Sequence, residues 1–408
     1  MNRLIGLLGI IIILGIAYLL SENKKKINWR LVFVGLGLQI LFALIILKIP
    51  IGRRFFEFFS KGITKILDFT SEGTVFLFGN LTDVNTFGSI FALNVLPTII
   101  FFSSLMGILY YLGIMQVVVR FIARIISKLL GTSGAETLSA VGNIFLGQTE
   151  APLLVKPYIN RMTKSELAAI MVGGMSTVAG GVMAGYIAMG VNAGHLLAGS
   201  IMAAPAGLIL AKILVPEVEE PETKNTTKIS TEKTASNVVE AAANGASEGL
   251  SLALNVAAML LAFVALIALL NYLIGLIGSL FGFPTLSLQW ILGKLFSPLA
   301  FVMGVPLKDI SIAGSLLGEK IMINEFVAYS SLSNYITEGI LQEKTVLILT
   351  YALCGFANIS SIAIQIGGIG GIAPNKKSTI ARLGLKTLIG GALATCLTGT
   401  IAGILFWS

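Results

Sequence analysis

Charge is scarce in this chain: only 12% of its 408 residues are Asp, Glu, Lys or Arg, where a soluble domain carries about 25%. Half that density leaves too little polar surface to coat a water-soluble protein of this length. Cysteine is nearly absent. Cys354 and Cys396 both sit in apolar stretches, which argues against a disulfide framework or a thiolate metal site and makes them small packing residues. There is one histidine, His195, opening the run HLLAGSIMAAPAG. With nothing nearby to orient it, it reads as a structural residue at a membrane boundary rather than a proton relay. The sequence also lacks HExxH and GxSxG, so an intramembrane enzyme would have no nucleophile–base set.

Apolar residues make up 55% of the chain and the mean hydropathy is +0.90. Long apolar runs recur, for example Leu4 to Leu20, Leu31 to Leu47 and Ala257 to Ile277. Each approaches the roughly 20 residues that a helix needs to cross the hydrocarbon core. The expected class is an all-α polytopic membrane protein embedded in a lipid bilayer. The net charge of +8 and the pI near 9.4 do not point to nucleic acid, because the basic residues cluster at the ends of apolar runs, where they suit anionic headgroups.

Eight spans are expected at about 3–20, 31–48, 92–114, 166–190, 195–214, 250–278, 344–366 and 383–405. The first resembles a signal peptide in having Arg3 before an apolar run, but no small-residue cleavage site follows. It stops instead at SENKKKINWR, whose Lys24, Lys25, Lys26 and Arg30 outweigh Arg3. The positive-inside rule puts that loop in the cytoplasm and both termini outside. Segment 53–68 places Phe55, Phe56, Phe59, Ile63, Ile66 and Leu67 on one helical face and Arg54, Glu57, Lys61 and Lys65 on the other, the pattern of a helix lying in the interface. Two further interfacial stretches are RFIARIISKLLG and the one around Trp290. The polar stretch within 215–245 reads as a flexible cytoplasmic linker, where the N-T-T at Asn225 would not be glycosylated.

Residues 134–160 are apolar but interrupted by GQTEAP, with Gln148, Thr149 and Glu150 at the centre. Two half-length helices meeting at a polar tip fit this pattern, since irregular backbone at membrane depth must be buried in protein or line a cavity. A second hairpin is expected at 309–335, carrying Glu319, Lys320 and Glu325. Each hairpin precedes a flawed span: MSTVAGGV (175–182) interrupts span four and GFANISS (355–361) interrupts span seven. One hairpin starts inside and the other outside, so the two are oppositely oriented re-entrant hairpins, each with a broken helix, in inverted repeats. That design belongs to secondary transporters, whose site lies where the breaks meet.

Most of the small and hydroxyl residues in spans, including Ser200, Thr398 and Thr400, are assigned to helix packing. Carboxylates differ, because a charge at mid-membrane costs at least about 2.5–3.5 kcal/mol. Glu150 and Glu325 therefore require a ligand or a partner, and Lys156 or Lys320 would make either an ordinary ion pair. Two carboxylates, the amides Gln148 and Asn358, the hydroxyls Thr149 and Ser361, and the apolar Val182 and Phe356 would suit a neutral polyhydroxylated ligand. A sugar, a nucleoside and a nucleobase all satisfy that chemistry.

GQTEAPLLVKPYI, MSTVAGGVMAGY, NEFVAY and GFANISSIAIQIGG, in that order, resemble the concentrative nucleoside transporter family in its shorter bacterial form. The resemblance runs along nearly the whole chain. It implies a homotrimer with a central scaffold (1–115 and 246–308) and two transport units (116–214 and 309–408) that work as an elevator. It also implies that Gln148, Thr149 and Glu150 contact the nucleobase, that Val182 and Phe356 give apolar contacts, and that Glu325, Asn358 and Ser361 hold the ribose. By the same resemblance the sodium site would use Asn143, the Leu146 carbonyl, Thr177 and the Val178 carbonyl. Na+ is thus the expected coupling ion, with no organic cofactor. Proton coupling within the same family, or a different small polar solute, are the alternatives.

Overall fold

The computed structural model describes residues 2–87, 90–224, 235–283 and 285–406. All regular structure among them is helical. Helices α1 (Asn2–Leu19) and α2 (Trp29–Leu47) open the chain. The Asn28 side chain accepts the Leu31 N–H and so caps α2, satisfying one of the donors that every helix start leaves open. Next comes α3 (Pro50–Asp68), which carries both faces expected of the interfacial segment.

Helices α4 (Thr70–Phe78), α5 (Val84–Phe87) and α6 (Phe91–Asn94) are short. They lead to α7 (Leu96–Tyr111). Gly113, at φ 78°, turns the chain into α8 (Ile114–Leu130), the second amphipathic helix.

The first hairpin rises as α9 (Gly134–Gly142), started by a capping box between Ser133 and Glu136. Its return limb is not the expected half-helix. Residues Ala151–Val155 form a 3-10 turn, followed by one helical turn, α10 (Lys156–Ile159). Pro152 and Pro157 explain this, since each removes an N–H that a regular α-helix would use.

A second capping box, Thr163 with Glu166, starts α11 (Lys164–Ser176). The span then breaks at residues 177–179 and resumes as α12 (Gly180–Ala188), before α13 (Ala193–Leu214). Beyond the linker, whose residues 225–234 (including the Asn225 motif) lie outside the described residues, α14 runs from Val238 to Leu280 over 43 residues. It starts 12 residues earlier than the sequence suggested. Composition misplaced its start: Asn237 caps a turn of Val, Glu and Ala that is helical but not apolar enough to read as membrane.

Helix α15 (Leu288–Val302), which holds Trp290, precedes the second hairpin, α16 (Ile310–Met322) and α17 (Glu325–Thr337). Here both limbs are the expected half-helices. Span seven is two pieces, α18 (Glu343–Leu353) and α19 (Ile359–Ile372), and α20 (Lys377–Leu405) closes the described chain. Among the described residues six helical stretches are long and apolar enough to cross a membrane, and Leu4–Leu19, Leu288–Val302 and Ile359–Ile372 are shorter apolar helices.

The core is formed by α11, α12, α13, α18 and α20, which pack on one another. Helix α14 is buried along one stripe, at Ala241, Gly245, Gly249, Ala253 and Val256, and again at Gly278 near its end. That stripe packs on α7. A Cβ on Gly107 would lie 3.4 Å from the Gly245 Cα, and one on Gly249 would lie 2.8 Å from the Ile100 Cα. Small residues at four-residue spacing permit this close backbone approach.

Candidate substrate and ion site

The two unwound turns touch. The Phe356 N–H, from the break between α18 and α19, donates to the Thr177 carbonyl, in the break between α11 and α12, at 3.2 Å. Gly355 makes the approach possible, because a Cβ there would stand 2.8 Å from the Met175 carbonyl oxygen. This bond ties the unwound backbone of one break to that of the other.

Around this junction the hairpin tips join the broken helices through side chains. Gln148, at the first tip, donates its amide to Ser361 Oγ at 3.1 Å. Its carbonyl oxygen accepts from Gln365 Nε2 at 3.0 Å, and the same nitrogen reaches the Met171 carbonyl. Glu325 opens the return limb of the second hairpin. It accepts from Asn358 Nδ2 at 2.8 Å and from the Tyr186 hydroxyl at 3.2 Å. Asn358 also caps α19, its side-chain oxygen taking the Ser361 N–H at 2.8 Å and the Ser360 hydroxyl at 2.7 Å. One chain of bonds thus runs from Gln148 through Ser361 and Asn358 to Glu325 and Tyr186.

The structure therefore brings together Gln148, Ser361, Asn358 and Glu325, all buried. Val182 is buried on α12 one turn before Tyr186, and Phe356 is half-buried within its break. Thr149 and Glu150 turn elsewhere: Thr149 donates to Glu150 at 2.8 Å, and Glu150 is exposed. Glu150 faces a cavity of about 400 Å³ between the first tip and the α7–α14 pair, lined also by Leu146, Gly180, Tyr110, Asn244 and Glu248. That volume lies in the range of small-ligand pockets, about 300–1,000 Å³. The two carboxylates thus occupy separate places rather than one cavity. Lys320 does not pair with Glu325, because it donates to the Ala352 carbonyl and to Thr395 Oγ1 instead.

Residues of the expected ion site gather beside the first break. Asn143 is fully buried and donates to the Ser139 carbonyl at 2.9 Å, while its Oδ1 has no hydrogen-bond partner among the described residues. Thr177 and Val178 are buried in the break itself, with Thr177 Oγ1 donating to the Gly173 carbonyl at 2.9 Å. Leu146 lies half-buried at the tip. An orphaned amide oxygen beside unwound backbone is the donor set that suits a hard monovalent cation.

Gln365 and Tyr186 escaped the sequence reading. Gln365 stands one helical turn beyond Ser361 in IAIQIGG, and that spacing was the available signal. Tyr186 gave none, since tyrosine is common both in cores and at membrane interfaces. His195 behaves as expected of a structural residue, with Nδ1 3.2 Å from the Tyr351 hydroxyl.

Discontinuous helices meeting beside two polar hairpin tips, in a helical membrane protein, define a membrane transporter and not an enzyme. Three family models match the chain. Residues 8–81 fit the Na+ dependent nucleoside transporter N-terminus, 92–193 the nucleoside recognition Gate, and 195–403 the Na+ dependent nucleoside transporter C-terminus. Nucleoside permease NupC of Helicobacter pylori is 46% identical over 411 residues, covering 99% of this chain and 98% of that protein. Human Solute carrier family 28 member 3 is 41% identical over 99% of this chain and 60% of its own length. The structure of CNTnw in an inward-facing substrate-bound state superposes with a TM-score of 0.95 at 47% identity, over 99% of this chain and 98% of that one. A CNTnw variant in an outward-facing state superposes with a TM-score of 0.94 at the same identity and coverage. The chain belongs to the concentrative nucleoside transporter family.

Proposed function

We propose that the protein is a secondary active symporter that imports nucleosides across the cytoplasmic membrane, driven by the Na+ gradient. The observation that carries this reading is the bonded chain from Gln148 to Glu325. It ties both hairpins and both broken spans to one buried polar locus, the arrangement alternating access requires. Gln148, with Thr149 and Glu150 at the same tip, supplies donors and acceptors for a nucleobase. Glu325, Asn358 and Ser361 suit ribose hydroxyls, and Val182 and Phe356 give apolar contacts. Na+ would sit with Asn143, Thr177 and the Leu146 and Val178 carbonyls, where the orphaned Asn143 oxygen asks for a cation.

The cavity lies between the first hairpin tip and the α7–α14 pair, space that would serve an elevator displacement of the hairpin unit against those helices. The family's substrate-bound inward-facing and outward-facing structures of CNTnw support two such end states. A homotrimer would cover part of the exposed scaffold surface, and both termini would face outside. Purified protein in proteoliposomes should accumulate radiolabelled uridine or adenosine under an inward Na+ gradient. Uptake driven equally by a proton gradient without Na+ would reject the coupling. Competition by sugars or free nucleobases as strong as that by nucleosides would reject the substrate class.

A further inference from the structure

Gln148 can present two different chemistries to a ligand. One end of its amide is an acceptor oxygen and the other an N–H donor, and the two ends have nearly the same shape, so its partners decide which end faces where. Those partners form a relay that begins at backbone. The Met171 carbonyl, on α11, can only accept. It takes one hydrogen of Gln365 Nε2 at 3.0 Å, and the other hydrogen of that nitrogen goes to Gln148 Oε1 at 3.0 Å. The acceptor end of Gln148 is thereby committed to Gln365, and its nitrogen end turns to Ser361, donating to Oγ at 3.1 Å.

Burial makes this order strict. Gln365 is 0% exposed and Gln148 6%, and a buried amide or carbonyl left without its partner is costly. Reversing Gln365 would set its oxygen against the Met171 carbonyl and leave Gln148 Oε1 without a donor. The Gln365 Oε1 has no hydrogen-bond partner among the described residues, so the two N–H bonds alone hold the amide in this direction. Gly174, one turn beyond Met171, makes room for the pair. A Cβ there would stand 2.8 Å from Gln148 Cβ and 3.0 Å from Gln365 Nε2.

We propose that Gln365 is a positioning residue that sets base specificity: it locks Gln148 with the amide nitrogen toward the ligand, so that the hairpin tip offers the nucleobase a donor. The proposal rests on the nucleoside reading, which puts the ligand on the Ser361 side of Gln148. One hydrogen of the Gln148 nitrogen is taken by Ser361, and the second is left for the base. A donor there favours a base with a carbonyl at the contacted edge over one with an exocyclic amine.

The test changes the direction of the relay. A carboxyl group has at most one hydrogen and cannot supply both bonds, so in Gln365→Glu the Gln148 amide turns to donate to it and shows its oxygen to the base. Gln365→Met, of similar length, frees Gln148 without choosing a direction. Uptake kcat/KM in proteoliposomes is measured for uridine against cytidine and for inosine against adenosine, pairs in which a carbonyl replaces an amine at one ring position. Thr149 and Glu150 also weigh on the absolute preference, so the readout is the change in each ratio. Gln365→Glu should lower both carbonyl-to-amine ratios by about tenfold, as trading a matched hydrogen bond for a mismatched one gives. Gln365→Met should lower them by a smaller factor. A uniform rise in KM for all four nucleosides, with both ratios unchanged, is the mark of a merely structural role and overturns the proposal. If a variant no longer transports, the thermal stabilisation that each of the four confers in detergent replaces uptake, and the same outcomes decide. A wild-type protein that takes up none of the four would instead sink the nucleoside reading beneath it.

Discussion

Glu325 accepts from an amide and a phenol in a place closed to water, so its carboxylate has no replacement for those bonds if it is neutralised. Each bond to a charged group is worth about 1.5–3 kcal/mol. Glu325→Gln should therefore cut uptake by about two orders of magnitude while the protein still elutes as an assembled oligomer, a pairing that radiolabel uptake and size-exclusion chromatography would check together. Gln365 holds the carbonyl of Gln148, so Gln365→Leu should raise the half-saturating nucleoside concentration several-fold, with maximal uptake much less affected. Substrate titration of uptake measures that. Gln148, Asn358, Ser361 and Glu325 were legible as members of one buried polar cluster because a polar group inside an apolar run needs a reason. Glu150 met the same test yet turned away from Glu325. Sequence spacing does not fix which side of a hairpin tip a side chain takes.

At the scale of elements, the contact between the two breaks depends on Gly355. A Cβ there meets the Met175 carbonyl, the Ser176 backbone and Thr395 Cγ2, all within 2.9 Å. Backbone yields less easily than side chain, so Gly355→Ala should cost about 1–3 kcal/mol and lower the unfolding midpoint in detergent, with uptake falling alongside. Both broken spans and the second hairpin were readable from their polar interruptions. The first hairpin was readable only in outline. Pro152 and Pro157 were visible, but their combined effect, a 3-10 return limb in place of a half-helix, follows from N–H donors lost on one short limb. Helix α14 was misjudged at its start because caps and propensity, not hydropathy, decide where a helix begins.

Across the whole molecule, polar ties hold the root of the first hairpin and the ends of α1, α11, α13 and α20 together. Lys212 Nζ lies 2.7 Å from Glu136 at the root of the first hairpin and 3.2 Å from Glu217 beyond α13. Lys212→Met would strand a buried carboxylate, and breaking such a pair costs about 3–5 kcal/mol; a correspondingly lower melting midpoint is expected. Glu22, in the loop after α1, joins Lys164 of α11 at 2.7 Å and Lys386 of α20 at 3.0 Å. Partial burial pushes the Glu22 carboxyl upward, but the bonds and charges of the two lysines prevail and hold it below its ordinary value. A depressed folded value contributes stability above the unfolded pKa and loses it as pH falls through the folded one. Glu22→Gln should therefore flatten the acid side of a stability–pH curve, read from melting midpoints below neutral pH.

The length of α14 has one more consequence. Its apolar stretch, residues 250–280, extends about 46 Å at 1.5 Å per residue, against a hydrocarbon thickness of about 30 Å. To keep that stretch out of water the helix must lean strongly from the bilayer normal or thicken the bilayer around it. The Gly245–Gly249 stripe then commits α7 to follow the same inclination. Acyl-chain length would in this way become a mechanical input to transport: thinner bilayers flatten the pair and thicker ones raise it, changing the frame against which the hairpin units slide.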